Sequence, residues 1–286
     1  MVMPSMVVTP PLEWFYRSAR TYDRKSFRFR VPDDGSLRRV QTLVARVARA
    51  VSPGEPSSLL VAAARAAGFE LVEGADPAGP LWVLHEPAGQ RTGAGLYAFR
   101  AEGPALCIQA PHTFFDEGTG EIALGLFARL RAGALFVNTV HRYSRADGGS
   151  HAADAAHSER TVFAAATHGL LAAARWDLVQ VHGFGPRDEL PAEVMAVVSD
   201  GVPIRPPQSP VDRLRAALTR TWGPGTVRLF GVDTQVLGAT TNVQGRAARA
   251  AKSQFLHVEL SAPARAALAQ DLTPLADALA HTLARR

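Results

Sequence analysis

Residues 105–127 read ALCIQAPHTFFDEGTGEIALGLF, a strand, a polar loop and a helix in that order. The apolar run at 105–108 suits a short buried strand, and the apolar residues from Ile122 to Phe127 begin a helical pattern that reaches about Arg131. Thr119 stands just before that pattern as the expected N-cap, and Glu121 is a first-turn carboxylate favoured by the helix dipole. Between strand and helix lie His112, Asp116 and Glu117. A chain that repeats strand, loop and helix builds an α/β layer fold, in which ligands meet the carboxyl ends of strands.

The alternation extends in both directions. Val40, Leu43, Val44 and Val47 share a helical face, and a second short helix over 59–67 is ended by Gly68. Strands are expected at 69–72, 81–85 and 96–99, punctuated by glycine and proline. Downstream, strands are expected at 134–138, 178–182, 195–199, 227–230 and 255–260, and helices at 161–174, 211–222, 262–270 and 274–286. This order predicts a three-layer α/β fold with a mixed central sheet flanked by helices. Residues 1–35 show little periodicity and read as an irregular arm lying on a single domain over 36–286.

With 286 residues, 47% of them hydrophobic, the chain can bury a full core. No apolar run reaches the ~18 residues a membrane span needs, so no membrane partner is expected. The first residues lack the pattern of a secretory signal, which predicts a cytoplasmic protein, or a secreted one whose signal has been removed. The single cysteine, Cys107, excludes an intrachain disulfide and a multi-cysteine zinc site, and its apolar setting reads as an inert buried thiol. Net charge is +5, carried almost wholly by arginine. The densest basic segment, 17–49, contains no nucleic-acid module, so a solvated face is expected there and no nucleic-acid partner.

Three segments put unusual polar residues at strand ends. APHTFFDEGT carries His112, Asp116 and Glu117; LVQVHGFG carries His182 followed by Gly183 and Gly185; FLHVELS alternates so that Phe255, His257 and Glu259 share a face. A carboxylate on an apolar strand is costly to bury without a partner or a nearby cation, and Glu259 asks for one. Two imidazoles and a carboxylate make a catalytic zinc set. Here that set is His112, an acid four or five residues later, and His182, which lies 70 residues beyond His112. Glu259 then suits the general base toward metal-activated water. In SHAADAAHSER, His151, Asp154 and His157 form a competing polar constellation, read as substrate contact or support for a ligand.

These segments carry a family resemblance. QAPHTFFDEGTGEIA resembles the metal loop of poly-gamma-glutamate hydrolases and N-formylglutamate amidohydrolase-like proteins. VQVHGF looks like the segment supplying their second histidine, and NVQGR followed by HVELSAPAR is similar to their late motif. The likeness spans roughly residues 95–270 and implies the zinc carboxypeptidase type of fold. It assigns His112 and His182 to zinc. The loop departs from the hydrolase pattern by one residue, so counting forward from His112 selects Glu117 and counting back from Gly118-Thr119 selects Asp116; Asp116 is preferred.

The resemblance further implies that Glu259 is the general base and that Arg142, in FVNTVHRYSR, anchors substrate carboxylate or polarises the scissile carbonyl. His141, Asn242 and Arg246, with Gln244 nearby, are the expected substrate contacts. The function implied is zinc-dependent hydrolysis of an amide or peptide bond in a small peptide or N-acyl amino acid. The alternative is a metal- or ligand-binding protein that keeps the fold without turnover.

Overall fold

The computed structural model of the protein describes residues 9–19, 29–144 and 151–284. Strands β1 (Glu70–Asp76), β2 (Gly79–His85) and β3 (Leu96–Phe99) form an antiparallel meander, and β3 pairs antiparallel with β5 (Ala134–Val137). At the centre β5, β4 (Leu106–Ala110), β6 (Asp177–Phe184) and β9 (Phe255–Ser261) run parallel. β7 (Ala196–Ser199) lies antiparallel to β9 and carries β8 (Val227–Leu229) at the edge. The full order is β1-β2-β3-β5-β4-β6-β9-β7-β8. The sheet is mixed, as the alternation of elements predicts.

Helices cover both faces. One face packs on α2 (Asp34–Ala50), α3 (Ser58–Ala66), α5 (Val162–Ala173) and α7 (Val243–Ala250). The other packs on α1 (Leu12–Ala19), α4 (Thr119–Arg129), α6 (Pro210–Trp222), α8 (Ala262–Gln270) and α9 (Thr273–Ala284). On this second side, past Asp177 at the start of β6, the central strands present apolar residues: Leu106, Ile108 and Ala110, then Val179 and Val181, then Leu256, Val258 and Leu260. The first side changes character along the strands. Cys107, Leu178 and Phe255 belong to its apolar core, whereas Gln109, Gln180, His182, His257 and Glu259 follow at the carboxyl ends, all buried.

Three expectations need correction. Within the supposed irregular arm, Leu12–Ala19 is a helix whose Leu12, Phe15, Tyr16 and Ala19 repeat at i, i+3, i+4 and i+7 and are buried; residues 1–8 and 20–28 lie outside the described residues. No element is expected between the strands at 227–230 and 255–260, yet that segment contains α7, with Asn242 as its N-cap. Thr119 is the first helical residue of α4 instead of its cap, because Gly118 takes the cap position at φ 84°, where glycine carries no steric penalty. Among the described residues no helix is long and apolar enough to cross a membrane.

Candidate metal centre

The loop after β4 folds back on itself. Backbone N–H groups of Phe115 and Asp116 donate to the His112 carbonyl at 2.9 and 2.8 Å, and the Thr119 hydroxyl donates to the Asp116 carbonyl at 2.7 Å. Thr113 donates to the Asn138 carbonyl, and Asn138 donates to Pro111 and Val140 carbonyls, which ties the loop to the end of β5. The turn lays the Asp116 carboxylate beside His112, with Oδ2 3.5 Å from Nδ1. The same Oδ2 is 3.3 Å from Nδ1 of His182 on β6. Ligand atoms about 2.0–2.1 Å from a tetrahedral ion stand ~3.3–3.4 Å apart, so these spacings fit the edges of one coordination shell.

The far nitrogens of both rings are engaged. His112 Nε2 is 2.9 Å from Asp154 Oδ1, and His182 Nε2 is 2.9 Å from Gln180 Oε1. With the ring proton on Nε2, donated to these acceptors, the Nδ1 lone pair of each ring would face Asp116. Asp154 also accepts from Arg142 Nη2 and from His157 Nδ1. Arg142 Nη1 stands 3.3 Å from His112 Nδ1, so the arginine and a cation would compete for that lone pair.

Burial opposes ionisation of Asp116, yet the neighbouring His112 and His182 imidazoles outweigh it and hold the carboxyl below its usual range. Burial likewise opposes ionisation of Asp154, and contacts with His112, His157 and Arg142 reverse that. His182 is pushed down to about 4, first by burial and against the pull of Asp116. His112 is raised, because its bonds to Asp116 and Asp154 together exceed the burial that lowers it.

Glu259 sits one strand over, directly opposite His182 in the β6–β9 register. Burial, and next the Asp116 charge, push it up to about 8. Among the described residues its Oε2 has no hydrogen-bond partner, and neither has Nδ1 of buried His257, whose Nε2 is 3.7 Å from Glu259 Oε1. Burial holds His257 well below its ordinary value. Two further groupings, His112–Asp154–His157 and His182–His257–Glu259, share these side chains and form alternatives on one wall. The set around Asp116 is distinguished by two Nδ1 atoms within 3.5 Å of one carboxylate oxygen.

A cleft of about 370 Å³ opens over this wall, lined by His112, His157, His182, His257, Glu259 and Arg142 on one side. Phe230, Gln235 and residues 237–242 line the other, with Arg187 at the exposed mouth. Asp116, not Glu117, lies between the imidazoles; Glu117 is exposed. Arg142 reaches the cleft with both Nη atoms engaged, its guanidinium 5.4 Å from the Phe115 and Tyr143 rings.

The expected substrate contacts fare differently. Asn242 lines the cleft, but its amide caps α7 and donates to Gln180. Arg246 points away, bonded to Glu159 and to the Thr241 carbonyl. His141 packs against Phe115 and Tyr143 and accepts from the Tyr143 N–H. Gln180 and Arg187 escaped the sequence reading. Gln180 carried a signal, a polar residue on the same face of an apolar strand as His182; Arg187, after the Gly-Phe-Gly-Pro turn, carried none.

No protein-family model and no curated protein matches the chain. Among solved structures, it is similar to a bacteriophage poly-gamma-glutamate hydrolase, at 16% identity and a TM-score of 0.44, over 69% of this chain and 91% of that one. It is similar also to N-formylglutamate amidohydrolase from Ralstonia eutropha JMP134, at 16% identity and a TM-score of 0.42, over 68% of this chain and 99% of that one. A zinc-free structure named YNDL-apo is similar at 13% identity and a TM-score of 0.44, over 69% and 93%. Likeness this distant transfers no activity, and what the cleft does follows from its own residues.

Proposed function

We propose that the chain is a metal-dependent hydrolase of an amide or peptide bond, with zinc held by His112, Asp116 and His182. The convergence of two Nδ1 atoms on one Asp116 oxygen supports this reading, because both far nitrogens are already engaged. Zinc bound there supplies Lewis acidity toward a carbonyl oxygen and lowers the pKa of water. Glu259 faces the same cleft, and its unpartnered Oε2 takes the proton of the attacking water and returns it to the leaving nitrogen. Arg142, pinned by Asp154, places fixed positive charge beside the ligands where a carbonyl oxygen gains negative charge. Arg187 at the mouth suits the carboxylate of a small peptide or N-acyl amino acid.

Metal analysis of the purified protein tests the centre: zinc near one equivalent is expected, and less than about a tenth after reconstitution overturns it. Turnover is tested on a panel of N-acyl amino acids, glutamyl peptides and peptidoglycan fragments. Metal bound without cleavage of any of them would favour a binding protein.

A further inference from the structure

The two imidazoles have their protons placed by different means. His112 lies between charged groups, with the Asp154 carboxylate at Nε2 and the Arg142 guanidinium at Nδ1. His182 meets only a neutral amide at Nε2, while its Nδ1 is 3.3 Å from the Asp116 carboxylate. A carboxylate is the stronger acceptor, and left to itself it would draw the single ring proton to Nδ1. That tautomer has no lone pair on Nδ1 for a cation.

Gln180 reverses this outcome only if its oxygen, and not its nitrogen, faces the ring, and three chains of hydrogen bonds decide which. In the first, the Thr167 hydroxyl donates to the Phe163 carbonyl at 3.0 Å, so it accepts from Gln109 Nε2 at 3.1 Å. Gln109 then shows its oxygen to Gln180 Nε2 at 3.0 Å. In the second, Gln244 Nε2 donates to the Ala155 carbonyl at 2.8 Å and shows its oxygen to the same Nε2 at 3.2 Å. In the third, Asn242 Oδ1 accepts the Gly245 backbone N–H at 2.8 Å, so its Nδ2 donates to Gln180 Oε1 at 2.6 Å.

Each chain ends on a backbone group that cannot exchange donor for acceptor. Flipping the Gln180 amide would oppose like groups at every junction, and all four amide side chains are buried, where an unmet polar atom costs about 1–3 kcal/mol.

We infer that Gln180 is a positioning residue: its amide, oriented by Gln109, Gln244 and Asn242, keeps the His182 proton on Nε2 against the pull of Asp116 and holds Nδ1 ready for a metal ion. This inference rests on the metal reading only for its purpose. The tautomer itself is a property of the metal-free protein.

The experiment is 15N NMR of the imidazole nitrogens in metal-free protein at pH 7.5, with the His182 signals assigned by comparison with His182→Gln. A protonated Nε2 and a bare Nδ1 are expected, and Nδ1–H or an even mixture overturns the inference. Gln180→Met removes the acceptor, so the proton should move toward Nδ1 and zinc affinity fall about 10–100-fold. A folded variant that keeps the Nε2–H tautomer overturns the role of Gln180. If that variant does not fold, the wild-type spectrum still decides. A wild-type Nε2–H tautomer in a protein that binds no metal removes the proposed function and leaves the lock standing, whereas Nδ1–H in a protein that does bind metal removes the lock alone.

Discussion

The strands β4, β6 and β9 have two faces that age differently along their length. Toward α4, α6, α8 and α9 the inward residues past Asp177, at the start of β6, are apolar up to the carboxyl ends. Toward α5 and α7 the apolar pattern stops halfway and amides, imidazoles and a carboxylate take over without becoming exposed. Buried polar groups add little net stability even when matched, and Glu259 is not matched. The first face therefore supplies the stability that the second gives up. That division can be broken by substitutions that move function and stability in separate directions.

The largest effect is expected at the ligands. Asp116→Asn should lose metal, seen by metal analysis of the folded protein, and drop hydrolysis to background; a stoichiometric metal content in that variant would break the division at its centre. Glu259→Gln should keep metal and lower kcat by about 10²–10⁴, the usual worth of a general base, in steady-state assays. On the opposite face, Ile108→Ala should cost about 2–5 kcal/mol in denaturant unfolding, because Ile108 is fully buried, while metal content per folded molecule stays unchanged.

A smaller effect has the opposite sign. The folded-state pKa of Glu259, about 8, exceeds its unfolded value near 4.5. The metal-free folded protein thus keeps a proton that the unfolded chain loses, and stability falls as pH rises from about 4.5 to 8 and then levels off. Metal-free Glu259→Gln lacks this loss, so at pH 9 it should melt above wild type, with no difference at pH 4. Equal melting at pH 9 would mean the carboxylate is satisfied after all. The smallest effect belongs to Glu117→Ala, expected to leave metal content and kcat unchanged, because that side chain is exposed.

How much of this was legible in the sequence follows from the reach of each signal. Strand β9 and helix α4 were plain, because alternation and helical spacing are local and long enough to read. Helix α7 was hidden by its eight-residue length and by Gly245, which reads as a loop but is required by packing, since a Cβ there would stand 2.7 Å from the Phe255 ring. Helix α1 has only eight residues, too few for its spacing to stand out, and follows Pro10 and Pro11, which read as irregular chain.

Of the site, His112, His182 and Glu259 could be found because each interrupts an apolar strand or ends one. The choice between Asp116 and Glu117 turned on how tightly the loop folds back, which only the Phe115 and Asp116 hydrogen bonds to His112 reveal. Asp154 was visible as a polar residue, but its bond to His112 spans 42 positions, and no local pattern records that.

The pairing of β9 has a consequence for how such a protein can change. Glu259 is held in register by His182 on one side and Val197 on the other, so the backbone gap between the proposed base and the proposed ligand is the spacing of neighbouring strands, about 4.8 Å. It cannot be tuned by small steps, since shifting the strand by one residue would turn Glu259 to the opposite face. The cleft's outer wall, residues 235 and 237–241, and Arg187 at its mouth lie outside the strands. Selection, or an engineer, can recut those loops for a new substrate while the distance that governs the chemistry stays fixed.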